Sequence, residues 1–281
     1  MASRRGAVEE QQDRNGRVIT ITSGKGGVGK TTTTANVGAA LAARGKSVVL
    51  VDADIGLRNL DIVLGLENRI VYDIVDVVEG RCRLRQALIR DKRLANLALI
   101  PAAQTRDKEA VSPEQMKELC RELRQQFDFV LIDSPAGIER GFRNAIAGAD
   151  EVLVVTNPEV SAVRDADRIV GLVEAAELPP PRLIVNRIDP ELVRRGDMLS
   201  VEDVLEILAI PLIGVVPADE SIVTATNRGE PVALDPQSRA GQAFRDIAAR
   251  LLGEDVPFQP LELPDGVWRR MLRALGFGGR S

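Results

Sequence analysis

A chain of 281 residues with 44% apolar side chains and a formal net charge of −4 can bury a large core and sits near the upper size of a single domain. It contains no histidine, which removes Ser-His-Asp and Cys-His catalysis and histidine-ligated metals together. Cys82 and Cys120 stand in no metal-ligand spacing and read as reduced thiols, and no apolar run is long enough to cross a membrane.

Residues 1–16 lack an apolar segment and mix acids with bases, so they read as a disordered leader rather than a signal or transit peptide. RVITITS (17–23) has the pattern of a strand, and KTTTTANVGAALAARG (30–45) that of a helix closed by a glycine. Strand-like runs follow at 47–54, 97–102, 127–134, 151–156, 181–186 and 211–217. Several are almost continuously apolar, as strands buried on both faces of a parallel sheet must be. Between them lie helix starts. Ser112, Pro113 and Gln115 fit a capping box with proline at the first helical position, and Ser200 with Asp203 opens a helix that stops before Pro211. The alternation predicts one doubly wound α/β domain over 17–253, with a mostly parallel sheet flanked by helices. Prolines at 257, 260 and 264 make 254–266 an extended linker. It leads to a last segment, VWRRMLRALGF (267–277).

GKGGVGKT (24–31) matches the phosphate-loop pattern G-x-x-x-x-G-K-[ST], between a strand and a helix as that pattern requires. The backbone of Gly26, Gly27, Val28 and Gly29 can turn N–H groups inward around phosphate oxygens, and the start of the helix at Lys30, Thr31 and Thr32 adds partial positive charge. Lys30 then reaches the β- and γ-phosphates, and the Thr31 hydroxyl binds Mg²⁺. A Mg-nucleotide site also needs a carboxylate at a neighbouring strand end. Asp133 closes FVLID, and Asp52 and Asp54 close VVLVDAD, all at the carboxyl ends where doubly wound sheets bind ligands.

With Lys25 placed ahead of GGVGKT, these residues resemble the deviant Walker A ATPases, the ParA/MinD family. Within it the chain is most similar to the MinD septum-site proteins, through TSGKGGVGKTT, DADIGLRNLD, PAAQTRDKEA, DSPAGIE, TNPEVSAVRDADRI, RGDMLSVEDVLEIL and GEPV. The resemblance implies a P-loop fold, ATP and Mg²⁺ as cofactors, and two subunits enclosing two ATP molecules. Lys25 then crosses to the partner's nucleotide and acts as an arginine finger does, which is worth roughly 10³–10⁵ in rate. It implies that Asp54 orients the attacking water, that Asp133 holds Mg²⁺ through water, and that Asn59 couples nucleotide state to partner binding. Asn186, Arg187, Pro217 and Asp219 become the adenine-side groups. With neither histidine nor glutamine beside the γ-phosphate, hydrolysis should be slow, as in a timer.

In the last segment Val267, Trp268, Met271, Leu272 and Leu275 share one helical arc, with Arg269, Arg270 and Arg273 opposite. Four arginines against one acid make residues 265–281 +3 and leave −7 elsewhere. The pattern is that of a helix lying in a membrane interface, the alternative being a terminal helix docked on its own core. Five partly buried apolar side chains give ~7 kcal/mol. Three arginines near anionic lipid add ~1 kcal/mol each, against ~10 kcal/mol to order the segment. One tail is marginal, and two on one dimer gain avidity. The expected sequence of events is ATP, dimer, membrane, with a location in the cytoplasm and on the cytoplasmic face of the cell membrane. Arg164, Asp165 and Asp167 read from sequence as a solvated helix face. The resemblance makes that face the surface for a MinC-type division inhibitor and a MinE-type topological factor. The acidic body argues against nucleic acid. The rival readings are a flagellar-number regulator, a ParA-type DNA partition ATPase, and a nucleotide-locked membrane scaffold without turnover.

Overall fold

The computed structural model describes residues 15–106 and 110–259. The expected leader up to residue 14, the later part of the linker and the amphipathic segment 267–277 lie outside them. In chain order the elements are β1 (Arg17–Thr22), α1 (Lys30–Ala43), β2 (Val48–Asp52), α2 (Leu60–Leu64), α3 (Ile74–Val78), α4 (Leu84–Ala87), β3 (Ile89–Arg90) and β4 (Leu97–Ile100). They continue as α5 (Pro113–Arg124), β5 (Phe129–Asp133), α6 (Arg140–Ile146), β6 (Glu151–Thr156), α7 (Val160–Ala175) and β7 (Arg182–Ile188). The remainder are α8 (Pro190–Arg195), α9 (Val201–Leu208), β8 (Leu212–Pro217), α10 (Ser221–Asn227) and α11 (Arg239–Leu251).

The strands form one sheet in the order β3-β4-β2-β5-β1-β6-β7-β8, parallel except for β3. β3 is a two-residue antiparallel edge, too short to leave a periodic signal in the sequence. Elsewhere the period of two sorts side chains onto two layers. Ile19, Ile21, Val48 and Leu50 pack with α1 and α11, while Val18, Val49 and Val51 pack with α3 and α5. A third cluster joins β6 and β7 to α6, α7 and α9. Both expected capping boxes are formed, at Ser112 with Gln115 and at Ser200 with Asp203.

Because every β-to-α connection climbs the same way, β1, β2, β5 and β7 all end on one edge, where the phosphate loop sits. The opposite, amino-end edge receives the end of α11. Arg17 bonds to the Leu251 carbonyl and Arg44 pairs with Glu254. At this edge Gly16, assigned by sequence to the leader, is instead buried and held, its N–H donating to the Arg124 carbonyl at 3.0 Å. The start of the linker is docked too. Arg250 donates to the carbonyls of Val256 and Pro257 at 3.0 Å each and stacks on Phe258.

Candidate nucleotide-binding site

β1 carries the chain to the carboxyl edge, and residues 23–29 fold back into the first turn of α1. Gly27 and Gly29 hold φ of 78° and 100°, a left-handed backbone that favours glycine. A Cβ on Gly29 would lie 2.4 Å from Asn186 Nδ2. Gly29 is the N-cap of α1, yet no side chain caps that end and its first turn holds no acid. The first N–H groups of α1 are therefore left for an anion, and the helix start adds its positive potential. A phosphate fits this cradle on its own geometry.

The cradle is braced from behind. The Val28 carbonyl accepts from Asn186 Nδ2 at 2.7 Å, and the Asn157 amide, oriented to satisfy both its ends, donates to the same oxygen at 3.2 Å. Asn186 is thus packed under the loop, with its Oδ1 buried and without a partner among the described residues. Arg187 stands one residue on, exposed, at φ 59° where β7 bulges against β8. The Asp219 carboxylate accepts from the Ser221 and Ala240 N–H groups and the Ser238 hydroxyl. Burial opposes its charge, but those bonds outweigh it and hold the carboxyl below its ordinary pKa. Asp219 therefore ties the end of β8, which closes at Pro217, to the starts of α10 and α11.

Two carboxylates lie side by side. Asp52 and Asp133 are register partners on β2 and β5, and each is about 1% exposed. Burial, then the nearby Asp133 charge, pushes Asp52 up to about 8, against N–H donors from Asp54 and Leu60. Burial likewise raises Asp133 to about 6, while the Lys30 charge and the Thr31 and Thr34 hydroxyls pull it back. Thr34 Oγ1 donates to Asp133 at 3.2 Å. Such concentrated acid next to the cradle suits a divalent cation, with Thr31 and Asp133 as the groups in reach. Lys30 is buried in the same place.

The sequence offers Asp52 only as one of the strand-end carboxylates, and the structure gives it a different task. Its carboxylate accepts from the N–H groups of Asp54 (3.0 Å), Asn59 (3.2 Å) and Leu60 (3.2 Å), and so shapes the loop that presents Asp54 and Asn59. The signal was present in DAD, but which of the two acids lies beside Asp133 depends on where β2 stops, and it stops at Asp52, leaving Asp54 in the loop. Arg58, at φ 38° in the same loop, places Nε 3.0 Å from the buried Asp61.

Lys25 points out of its own loop. It is 43% exposed, with Nζ 3.0 Å from Ser161 Oγ and 3.4 Å from Glu159 Oε2 at the start of α7. On α7, Arg164 and Asp167 are exposed and Asp165 is half-buried. A Cβ on Gly24 would meet the Asp165 carbonyl at 2.2 Å, so the loop and α7 are in close backbone contact.

A phosphate-loop nucleotide-binding protein with an extra, outward lysine is the class that this fold and site define. The family model for the CobQ/CobB/MinD/ParA nucleotide binding domain matches residues 19–232. The septum site-determining protein MinD of Bacillus subtilis is 60% identical over 249 residues, 88% of this chain and 93% of that protein. Among solved structures, the MinC:MinD cell division complex of Aquifex aeolicus superposes with a TM-score of 0.81 at 53% identity, over 86% of this chain and 98% of that one. MinD of Pyrococcus horikoshii, solved with Mg-ADP, gives 0.77 at 32% identity over 84% and 95%. The chain belongs to the MinD septum site-determining family.

Proposed function

We propose that this chain is a slow, ATP-driven switch that places the division septum by carrying a MinC-type inhibitor on the membrane. The observation that carries the reading is Lys25. Its ammonium rests on the rim at Glu159 and Ser161 rather than in its own cradle. From there it can enter the site of a second copy. Hydrolysis then depends on dimerisation.

In this reading the loop N–H groups and Lys30 bind the phosphates, while Thr31 and Asp133 hold Mg²⁺, which supplies charge neutralisation on the phosphoryl oxygens. Asp54 orients the attacking water, and Asp52 keeps the Asp54 loop in place. Lys25 of the partner copy adds positive charge where negative charge builds up in transfer. Asn186 Oδ1, left without a partner, is the acceptor for an exocyclic amine of adenine, with Arg187 and the backbone at Pro217 and Asp219 completing the base side. Asn59 and the α7 residues Arg164, Asp165 and Asp167 form the face for the inhibitor and for a MinE-type factor. Segment 267–277 anchors the dimer to anionic lipid. Among the described residues no helix is long and apolar enough to cross a membrane.

Sedimentation of the full chain with anionic vesicles tests this. Binding is expected with ATP, and loss is expected with ADP and on removal of residues 267–281. Equal binding in ATP and ADP refutes the switch.

A further inference from the structure

The amino-end edge of the sheet, opposite the nucleotide site, carries a cavity of about 530 Å³. Ser47, Asn96 and Phe127, which precede β2, β4 and β5, form its floor, and Arg85, Arg90 and Gln126 its exposed side. Among the described residues no carboxylate lines it. Asp128, next door, is turned to the Ser47 N–H and hydroxyl at 2.7 and 2.8 Å. Asn96 spends its amide on the carbonyls of Ala42 and Lys46. The charged donors that remain are the two guanidinium groups, beside the neutral amide of Gln126, which donates to the Glu122 carbonyl at 3.5 Å. Arg90 donates one N–H to the Ala95 carbonyl at 2.9 Å, and neither arginine has an ion-pair partner among the described residues.

Two uncompensated guanidinium groups on one cavity call for an anion, and their forked donors match phosphate oxygens. The place says where the phosphate comes from. Ser47 lies two strands, about 10 Å, from Arg17. Arg17 and Arg44 fasten the end of α11, and residues 254–259, docked on Arg250, follow it on this same edge. From Phe127 to Asp133 along β5 is about 20 Å, so the cavity shares nothing with the catalytic machinery.

We propose that the Arg85–Arg90 cavity is a phosphate site, filled by the headgroup of an anionic phospholipid when the domain lies on a membrane. The source of the phosphate rests on the membrane reading above, but the site itself does not. One membrane contact by the tail leaves the domain free to tilt. A second, on the domain body, sets which edge faces the lipid.

The test compares the full chain with its R85Q/R90Q variant on vesicles of phosphatidylglycerol in phosphatidylcholine, with Mg-ATP. R194Q/R195Q on α8, at the opposite edge, controls for bulk charge. The expected result is about thirtyfold weaker vesicle binding for R85Q/R90Q, from two charges at about 1 kcal/mol each. Melting temperature and vesicle-free ATPase should be unchanged, and R194Q/R195Q should bind nearly as the unaltered chain. A parallel titration with inorganic phosphate, run in Mg-ATP so that the nucleotide cradle is already filled, separates the sources. Phosphate binding lost in R85Q/R90Q, with vesicle binding unchanged, keeps the site and reassigns it to a free phosphate. If the unaltered chain ignores vesicles, the membrane reading falls, and the phosphate arm alone decides the cavity. Equal behaviour of R85Q/R90Q and the unaltered chain in both arms overturns the proposal, as does an equal loss in R194Q/R195Q.

Discussion

Replacing Lys25 by alanine isolates the dependence on a second copy. In the isolated chain the lysine is half-exposed and holds only a hydroxyl at 3.0 Å and a carboxylate at 3.4 Å. Exposed pairs of that kind are worth about 0–1 kcal/mol, so Lys25→Ala should shift the melting temperature by no more than about 2–4 °C. The hydrolysis rate should nevertheless fall by roughly 10³-fold, because a trans-acting charge at the phosphoryl group is lost. Asp54→Ala should also be inactive, but with its own Lys25 intact. Mixed one to one, the two variants form heterodimers in half the cases, each with one complete site. The mixture should therefore recover about a quarter of the unaltered activity, as expected for a symmetric pair with independent exchange. Steady-state phosphate release, read against mixing ratio, measures it. A mixture that stays at the floor of its components, with both variants folded, refutes the idea that Lys25 acts across the interface.

Gly229→Ala should destabilise the fold by about 2–4 kcal/mol, since a Cβ there meets the Gly65 Cα at 2.5 Å on a left-handed backbone of φ 64°. A melting temperature lowered by less than about 3 °C would show that α2 and α10 can separate cheaply. The Mg-free chain should lose stability as pH rises from 6 to 8. Asp52 is raised to about 8, so across this window the native state holds a proton that the unfolded chain has released, at up to about 1.4 kcal/mol per pH unit, while Asp133, raised to about 6, adds its share mainly below pH 6. Melting at pH 6.0 and 8.5 checks the sign. Asp52→Asn should flatten the slope, and a melting temperature that climbs with pH contradicts the buried pair. Arg250→Ala should leave ATPase intact but free residues 254–259, which rest on its guanidinium through Val256, Pro257 and Phe258. Limited proteolysis there should speed up several-fold, and an unchanged cleavage rate would mean that the segment is held by other contacts.

Local chemistry was enough to announce much of this protein. Continuous β-branched runs mark strands buried on both faces, Ser112-Pro113 and Ser200 mark helix starts, and GKGGVGKT places a phosphate cradle between a strand and a helix. Each is a pattern of near neighbours, governed by backbone periodicity, capping bonds and the freedom of glycine. The tertiary structure decided what depends on distant neighbours. Asp52 and Asp133 become a pair only because β2 and β5 adjoin in register, and Asn186 braces Val28 only because β7 ends beneath the loop. Asp219 is drawn inward by Ser221, Ser238 and Ala240, and the Arg85–Arg90 cavity opens where three strand beginnings meet. Strand order and register arise from packing two helical layers on one sheet, and no window of consecutive residues contains that information.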